Sequence, residues 1–144
     1  MPPRRRDRNR GPGGRNGAAA GGRIAGRQEA RPVSSCIFCK IVAGQIPAAV
    51  VLETSDAVAF RDINAQAPHH YLVIPRKHVE AIKDLEDADQ ALAGALLLAA
   101  RDVARQQGLD SYRLVVNTGP DAGQTVFHIH VHVLGGRGFA WPPG

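Results

Sequence analysis

At 144 residues, 44% of them hydrophobic, the chain is long enough for one domain with a sizeable core. Its charge is unevenly divided: residues 1–35 carry nine arginines against Asp7 and Glu29, a net of +7, and residues 36–144 carry nine Lys/Arg against eleven Asp/Glu, a net of −2. The folded part therefore offers no electrostatic case for nucleic-acid binding, no run of ~18 apolar residues provides a membrane span, and the N-terminus lacks the apolar core of a secretory signal.

Residues 1–35 also hold seven glycines and four prolines. Such a segment cannot bury enough surface to offset its ordering entropy and is read as a disordered basic tail. A tether for nucleic acid or an anionic surface is one role for it. A mitochondrial transit peptide is another, although the glycines oppose the amphipathic helix that role needs. The favoured reading is that it does nothing specific, or that the true start codon lies further in.

The domain then spans residues 36–144. Cys36 to Val42 opens it as a short helical turn, closed by Gly44 and Pro47. Ala49 to Glu53 and Ala57 to Asp62 form a hairpin about the turn Thr54-Ser55-Asp56. Tyr71 to Ile74 is a third strand, ended by Pro75. A long helix runs from about Asp87 to Gln107, with Leu92, Leu96, Ala99 and Val103 on one face, acidic residues at its start, Arg101 and Arg105 near its end and Gly108 as its stop. Tyr112 to Val116 and Val126 to Leu134 are the last two strands, joined by a glycine loop. Antiparallel strands with the helices on one face give an α+β fold, a five-stranded sheet with one long and one short helix.

The last strand carries the chemistry. In Phe127-His128-Ile129-His130-Val131-His132-Val133-Leu134, three of the six histidines stand at alternate positions. A strand sends successive side chains to opposite faces, so His128, His130 and His132 share one face, and Ile129, Val131 and Val133 point into the core. The outer two are ~13 Å apart, so the three cannot bind one metal together. Neutral imidazole is a competent nucleophile near pH 7, and its neighbours can donate to phosphate oxygens. The preceding loop, Asn117 to Thr125, favours phosphate: its glycines let backbone N–H groups approach an anion, and Gln124 and Thr125 add side-chain donors.

The run Gly-Gln-Thr-Val-Phe-His-Ile-His-Val-His-Val-Leu resembles the signature of the histidine triad superfamily, and the endings Leu134-Gly135-Gly136-Arg137 and Trp141-Pro142-Pro143-Gly144 resemble its nucleotide-binding-protein branch of purine nucleoside phosphoramidases. The resemblance covers Cys36 to Gly144 and implies that His130 attacks the α-phosphorus of a nucleotide, forming a nucleotidyl-histidine that water hydrolyses. The ring nitrogen opposite the attacking one must then donate a hydrogen bond. His132 would donate to a phosphoryl oxygen, with backbone N–H groups around Gly123 to Thr125 and the Thr125 hydroxyl, where the family commonly has serine. Asp62 would hold the ribose hydroxyls, Ile63 would pack on the base, Asn117 would bond near ribose or phosphate, and His70 would support the site.

Cys36 and Cys39 make a second constellation. A Cys-x-x-Cys beside many histidines suggests tetrahedral zinc, with two reduced structural thiols as the alternative; a thioredoxin-like redox role needs a βαβ context that the sequence does not show. The resemblance supplies the other two ligands, His78 and His128, which would make the zinc structural, with no open position; His128, counted with the catalytic triad, would then be unavailable as a proton donor. No organic cofactor is expected. The resemblance also implies a homodimer, with the sheets joined across the two-fold axis and Trp141 of one subunit shaping the leaving-group side of the other's site.

The expected activity is hydrolysis of the P–N bond of adenosine or guanosine phosphoramidates. Alternatives are dinucleoside polyphosphate hydrolysis, as in the fragile-histidine-triad branch, and a nucleotide-binding interaction protein with incidental catalysis. The expected location is the cytoplasm, or the mitochondrion if the tail is a transit peptide.

Overall fold

A computed structural model describes residues 33–144. The expectation of a disordered tail falls, for residues 1–32, outside the described residues. The order of elements is α1 (Ile37–Val42), β1 (Val50–Glu53), β2 (Ala57–Arg61), β3 (His69–Pro75), α2 (Gln90–Gln106), β4 (Tyr112–Val115) and β5 (Val131–Gly135). The strands form one antiparallel sheet in the order β1-β2-β3-β5-β4. No described helix is long and apolar enough to cross a membrane.

Local chemistry explains most boundaries. The β1–β2 turn is held by the Thr54 hydroxyl, which accepts from the N–H groups of Asp56 and Ala57 at 3.2 and 2.9 Å. The long helix starts three residues later than the acidic cluster suggested. Asp87–Asp89 is a 3₁₀ turn, closed by a reciprocal capping box between Glu86 and Asp89. The helix ends in a Schellman motif: Leu109 N–H donates to the Ala104 carbonyl at 2.9 Å and Gly108 N–H to that of Arg105 at 3.1 Å, with Gly108 at φ 72°.

The core has two parts, one on each side of the sheet. Ala57, Ala59, Tyr71, Val73, Ile129, Val131 and Val133 meet Leu96, Ala99, Ala100, Val103 and Ala104 of α2. On the opposite face, Val58, Phe60, Leu72 and Ile74 pack with Phe38 of α1. The expectation that both helices cover one face is therefore corrected: β2 and β3 bury both faces, and α1 covers the face that α2 does not. That second face carries the site.

The last strand is also shorter than expected. Its ladder with β3 runs from His69↔Gly135 to Val73↔Val131 and no further. Pro75 has no N–H to extend a ladder. Ile129 N–H turns instead to the carbonyl of Val79, at 2.8 Å. His128 thus lies at the end of a bend over residues 126–128 and His130 in the lead-in that follows it, with only His132 inside β5.

Candidate active site and metal centre

The alternation survives where the ladder does not. Ile129, Val131 and Val133 are buried under α2, and the rings of His130 and His132 stand 5.0 Å apart, centroid to centroid, on the other face. Both line a cavity of about 510 Å³. Its polar lining is Asp62, Asn64, Gln66, His70, Thr125, His130 and His132. Its apolar lining is Ile37, Phe38 and Ile41 of α1, Ile46 to Ala48, Phe60 and Leu72.

Hydrogen bonds assign the tautomers. Nδ1 of His130 lies 2.8 Å from the carbonyl of His128. A carbonyl only accepts, so Nδ1 carries the hydrogen and Nε2 is left with its lone pair. His132 has the opposite tautomer. The main-chain N–H of Gln66 donates to Nδ1 of His70 at 3.0 Å, so the neutral His70 ring carries its hydrogen on Nε2. That Nε2 lies 2.9 Å from Nδ1 of His132 and 3.3 Å from Oδ2 of Asp62. His132 therefore accepts at Nδ1 and keeps a donor at Nε2. Burial, with His130 and His70 nearby, lowers the pKa of His132 to about 4 against a weaker upward pull from Asp62. Burial also lowers that of His70, opposed by Asp62. Neighbouring rings in one cavity thus present a bare nitrogen and an N–H.

Asp62, His70 and His132 also lie close enough to share a cation. The Gln66 N–H argues against it: a metal on Nε2 of neutral His70 would place a hydrogen on Nδ1, donor facing donor. The geometry fits a hydrogen-bonded relay better than a ligand set.

The second cluster has the properties of a metal centre. Cys36, Cys39, His78 and His128 bring four ligand atoms within 4.8 Å of one another. Cys39 Sγ lies 3.2 Å from Nδ1 of His78, both sulfurs lie 3.5 Å from Nδ1 of His128, and the two Nδ1 atoms are 3.1 Å apart. Tetrahedral zinc with ordinary bond lengths has edges of about 3.6 Å between N and S ligands and about 3.3 Å between N ligands. Nε2 of His128 donates to the carbonyl of Pro75 at 2.8 Å, which leaves Nδ1 free to ligate. Burial lowers the His128 pKa to about 4, keeping the ring neutral as a ligand must be. The donor set suits zinc, which would be structural here with four protein ligands.

The cavity brings together Asp62, Ile63, His70, Thr125, His130 and His132. It does not include Asn117, Gly123 or Gln124. Asn117 instead sits beside Gly123, where a Cβ in place of the glycine hydrogen would stand 3.7 Å from the Asn117 amide nitrogen. The expectation of a side-chain donor from Gln124 is corrected. Its buried amide is spent on the loop's own frame, donating to the carbonyls of Glu80 and Val126 at 2.7 and 3.1 Å and accepting from Gly119 N–H at 2.9 Å. Gly119 and Gly123, at φ 86° and 95°, flank the 3₁₀ turn Pro120–Ala122 that this amide braces. Trp141 is 84% exposed and lines no wall of its own chain's cavity. The sequence reading missed the apolar wall. Its one signal was Ile37 and Ile41, an i, i+4 apolar pair on a helix too short to own a core.

Residues 43–139 match the family profile described as the HIT domain. The chain is 51% identical over 109 residues to an uncharacterized HIT-like protein of Synechocystis sp., covering 75% of this chain and 96% of that one. It superposes on the crystal structure of a HIT family hydrolase from Legionella pneumophila Philadelphia 1 with a TM-score of 0.74 at 50% identity, covering 76% of this chain and 99% of the other. A histidine triad nucleotide-binding protein from Candida albicans matches with a TM-score of 0.66 at 31% identity, over 75% and 83% of the two chains.

Proposed function

We propose, from the premise that the chain belongs to the HIT domain family, that it is a hydrolase of purine nucleoside 5'-phosphoramidates, cleaving the P–N bond through a nucleotidyl-His130 intermediate. The observation that carries this reading is the pair of opposite tautomers. His130 keeps a bare Nε2 because Nδ1 donates to the His128 carbonyl, and His132 keeps a donor at Nε2 because Nδ1 accepts from His70. The first atom can attack phosphorus and the second can donate to a phosphoryl oxygen as charge develops. The apolar lining of the cavity suits a purine, with the exposed Ile63 among the residues around it. Asp62 suits the ribose hydroxyls and the Thr125 hydroxyl the phosphate. A similar hydrolase and a similar nucleotide-binding protein support the class of substrate.

Cys36, Cys39, His78 and His128 would hold a structural zinc, supplying no chemistry to the reaction. The active form would be a homodimer, with Trp141 crossing to the partner's leaving-group side. Thiol ligands suit a reducing compartment, and the proposed location is the cytoplasm. The proposed domain spans residues 36–144, with residues 1–35 as a tail outside it.

The test is turnover of an adenosine phosphoramidate beside diadenosine polyphosphates, with His130→Ala as control. The phosphoramidate should be the better substrate. His130→Ala should cut kcat by about three orders of magnitude or more while AMP still binds, because the ring makes the covalent bond but is one contact among several. Near-normal kcat in that variant would remove the assignment.

A further inference from the structure

A six-residue helix does not stand by itself in water. α1 is held from two sides. Its N-cap Cys36 and its Cys39 reach His78 and His128 at 3.2–3.5 Å. Ile37, Phe38 and Ile41 of the same helix form part of the apolar wall of the nucleotide cavity. Phe38, next to Cys39 in the chain, packs edge-on against the rings of His128 at 5.9 Å and His130 at 5.2 Å. Whatever happens at the two thiols therefore reaches both the base wall and the proposed nucleophile through this one helix.

Cys36 can be reached by another route. A second cavity of about 400 Å³ is lined by Cys36 and His78, with Val33, Ser35 and Phe127 at its sides. Cys36 is half-buried and Cys39 buried. A small solute can meet Cys36 through this cavity, whose lining lacks His130 and His132, and partial exposure of this kind is one condition for a reactive thiolate. The sulfurs are already neighbours: each is 3.5 Å from the same His128 nitrogen, and Cys39 N–H points at Cys36 Sγ at 3.4 Å.

We propose that Cys36 and Cys39 form an oxidation site for hydrogen peroxide or a small hydroperoxide, and that joining them as a disulfide releases α1 and weakens nucleotide binding. The second half of this statement rests on the nucleotide reading given above. In the reaction with hydrogen peroxide, the Cys36 thiolate attacks one peroxide oxygen and the O–O bond breaks. The product is a sulfenic acid at Cys36 plus hydroxide, which takes up a proton. The Cys39 thiolate then attacks the Cys36 sulfur, forms the S–S bond and expels a second hydroxide, which is also protonated. Two electrons pass from the sulfurs to the peroxide and two waters are produced; a zinc held by Cys36, Cys39, His78 and His128 would lose two of its four ligands. A disulfide offers no thiolate to a metal. His78 and His128 lose their partners, and packing alone is left to hold α1.

The experiment uses the full chain purified with its metal, titrated with hydrogen peroxide and followed by four readouts. These are peptide mapping for the Cys36–Cys39 disulfide, a chromogenic chelator for released zinc, amide hydrogen exchange across residues 37–42, and AMP affinity by calorimetry. The expected result is disulfide and zinc release in parallel, faster exchange in α1, and AMP binding weakened about tenfold. A dithiol reductant with added zinc should reverse all four. A disulfide that leaves α1 exchange unchanged overturns the proposal. So does zinc release without a disulfide, or a loss of AMP affinity that the reductant and zinc do not restore. If the reduced, metal-loaded chain binds no AMP, the nucleotide reading fails, and α1 exchange still decides whether the thiols control the helix.

Discussion

The main-chain N–H of Gln66 donates to Nδ1 of His70, at 3.0 Å, across the turn that leads into β3. This one contact sets the state of a side chain it never touches. With Nδ1 occupied as an acceptor, neutral His70 holds its hydrogen on Nε2, 2.9 Å from Nδ1 of His132. His132 is then a donor at its other nitrogen. His130, two residues before it, is fixed the opposite way by the His128 carbonyl at 2.8 Å.

The relay can be seen directly. Nitrogen NMR near pH 7 should show His130 protonated on Nδ1 and His132 on Nε2. His70→Ala removes the partner of His132 Nδ1, so His132 should lose its single tautomer. Turnover should fall about ten- to a hundredfold through misplacement of the donor, with a smaller change in KM. Identical tautomers at His130 and His132 in the native chain would contradict the assignment.

A pH dependence of stability follows from the buried rings. The His128 and His132 pKa values are both lowered to about 4, chiefly by burial. Above pH ~7 both groups are neutral whether the chain is folded or not, so they contribute no slope. As pH falls from about 6.5, the unfolded chain takes up protons that the folded chain cannot, and stability drops until about pH 4. Urea unfolding of the chelator-treated protein between pH 8 and pH 4 should show a midpoint that is flat at first and then declines through this window. A midpoint independent of pH from 7 to 4 would mean that these rings are not held neutral.

Bound metal should be measurable as about one zinc per chain after purification without added metal. Cys39→Ser should lose it and lower thermal stability, because a ligand set absent from the unfolded state adds its binding energy to folding. His128 also sits against Phe38 and lends its carbonyl to His130. Metal loss should therefore reduce activity as well, although none of the four ligands is assigned a contact with substrate. Fully stable, metal-free native protein would rule the site out.

The histidine face was legible because the alternation persists outside the ladder: Ile129 packs into the α2 side of the core, and the rings of His128 and His130 both meet Phe38 on the other side. The ladder's end was less legible, because it depends on what faces Pro75 across the sheet rather than on β5 itself. The two-sided sheet could have been read from Ala57-Val58-Ala59-Phe60 and Tyr71-Leu72-Val73-Ile74, near-continuous apolar runs that need cover on both faces. Gln124 misled for a physical reason. An amide beside glycines in a loop suits anion binding and loop bracing equally, and only the position of the Glu80 carbonyl decides between them. The apolar wall was hidden because Ile37, Phe38 and Ile41 gain their meaning from Phe60 and Leu72, residues of two other elements.

The sharpest test of the subunit arrangement concerns Trp141. Within its own chain it is 84% exposed and lies outside the cavity wall. If it shapes a leaving group, it does so in a partner's site. Trp141→Ala should then alter discrimination among leaving amines far more than affinity for bare AMP, since the amine side and the nucleotide side are read by different residues. Mixing an inactive His130→Ala chain with an active Trp141→Ala chain supplies the decisive case. In the heterodimer, the one competent site belongs to the Trp141→Ala chain but meets an intact Trp141 from its partner. Its leaving-group preference should return toward that of the native protein. If mass spectrometry shows that subunits have exchanged and the preference remains that of the Trp141→Ala homodimer, the tryptophan does not act across the two-fold axis.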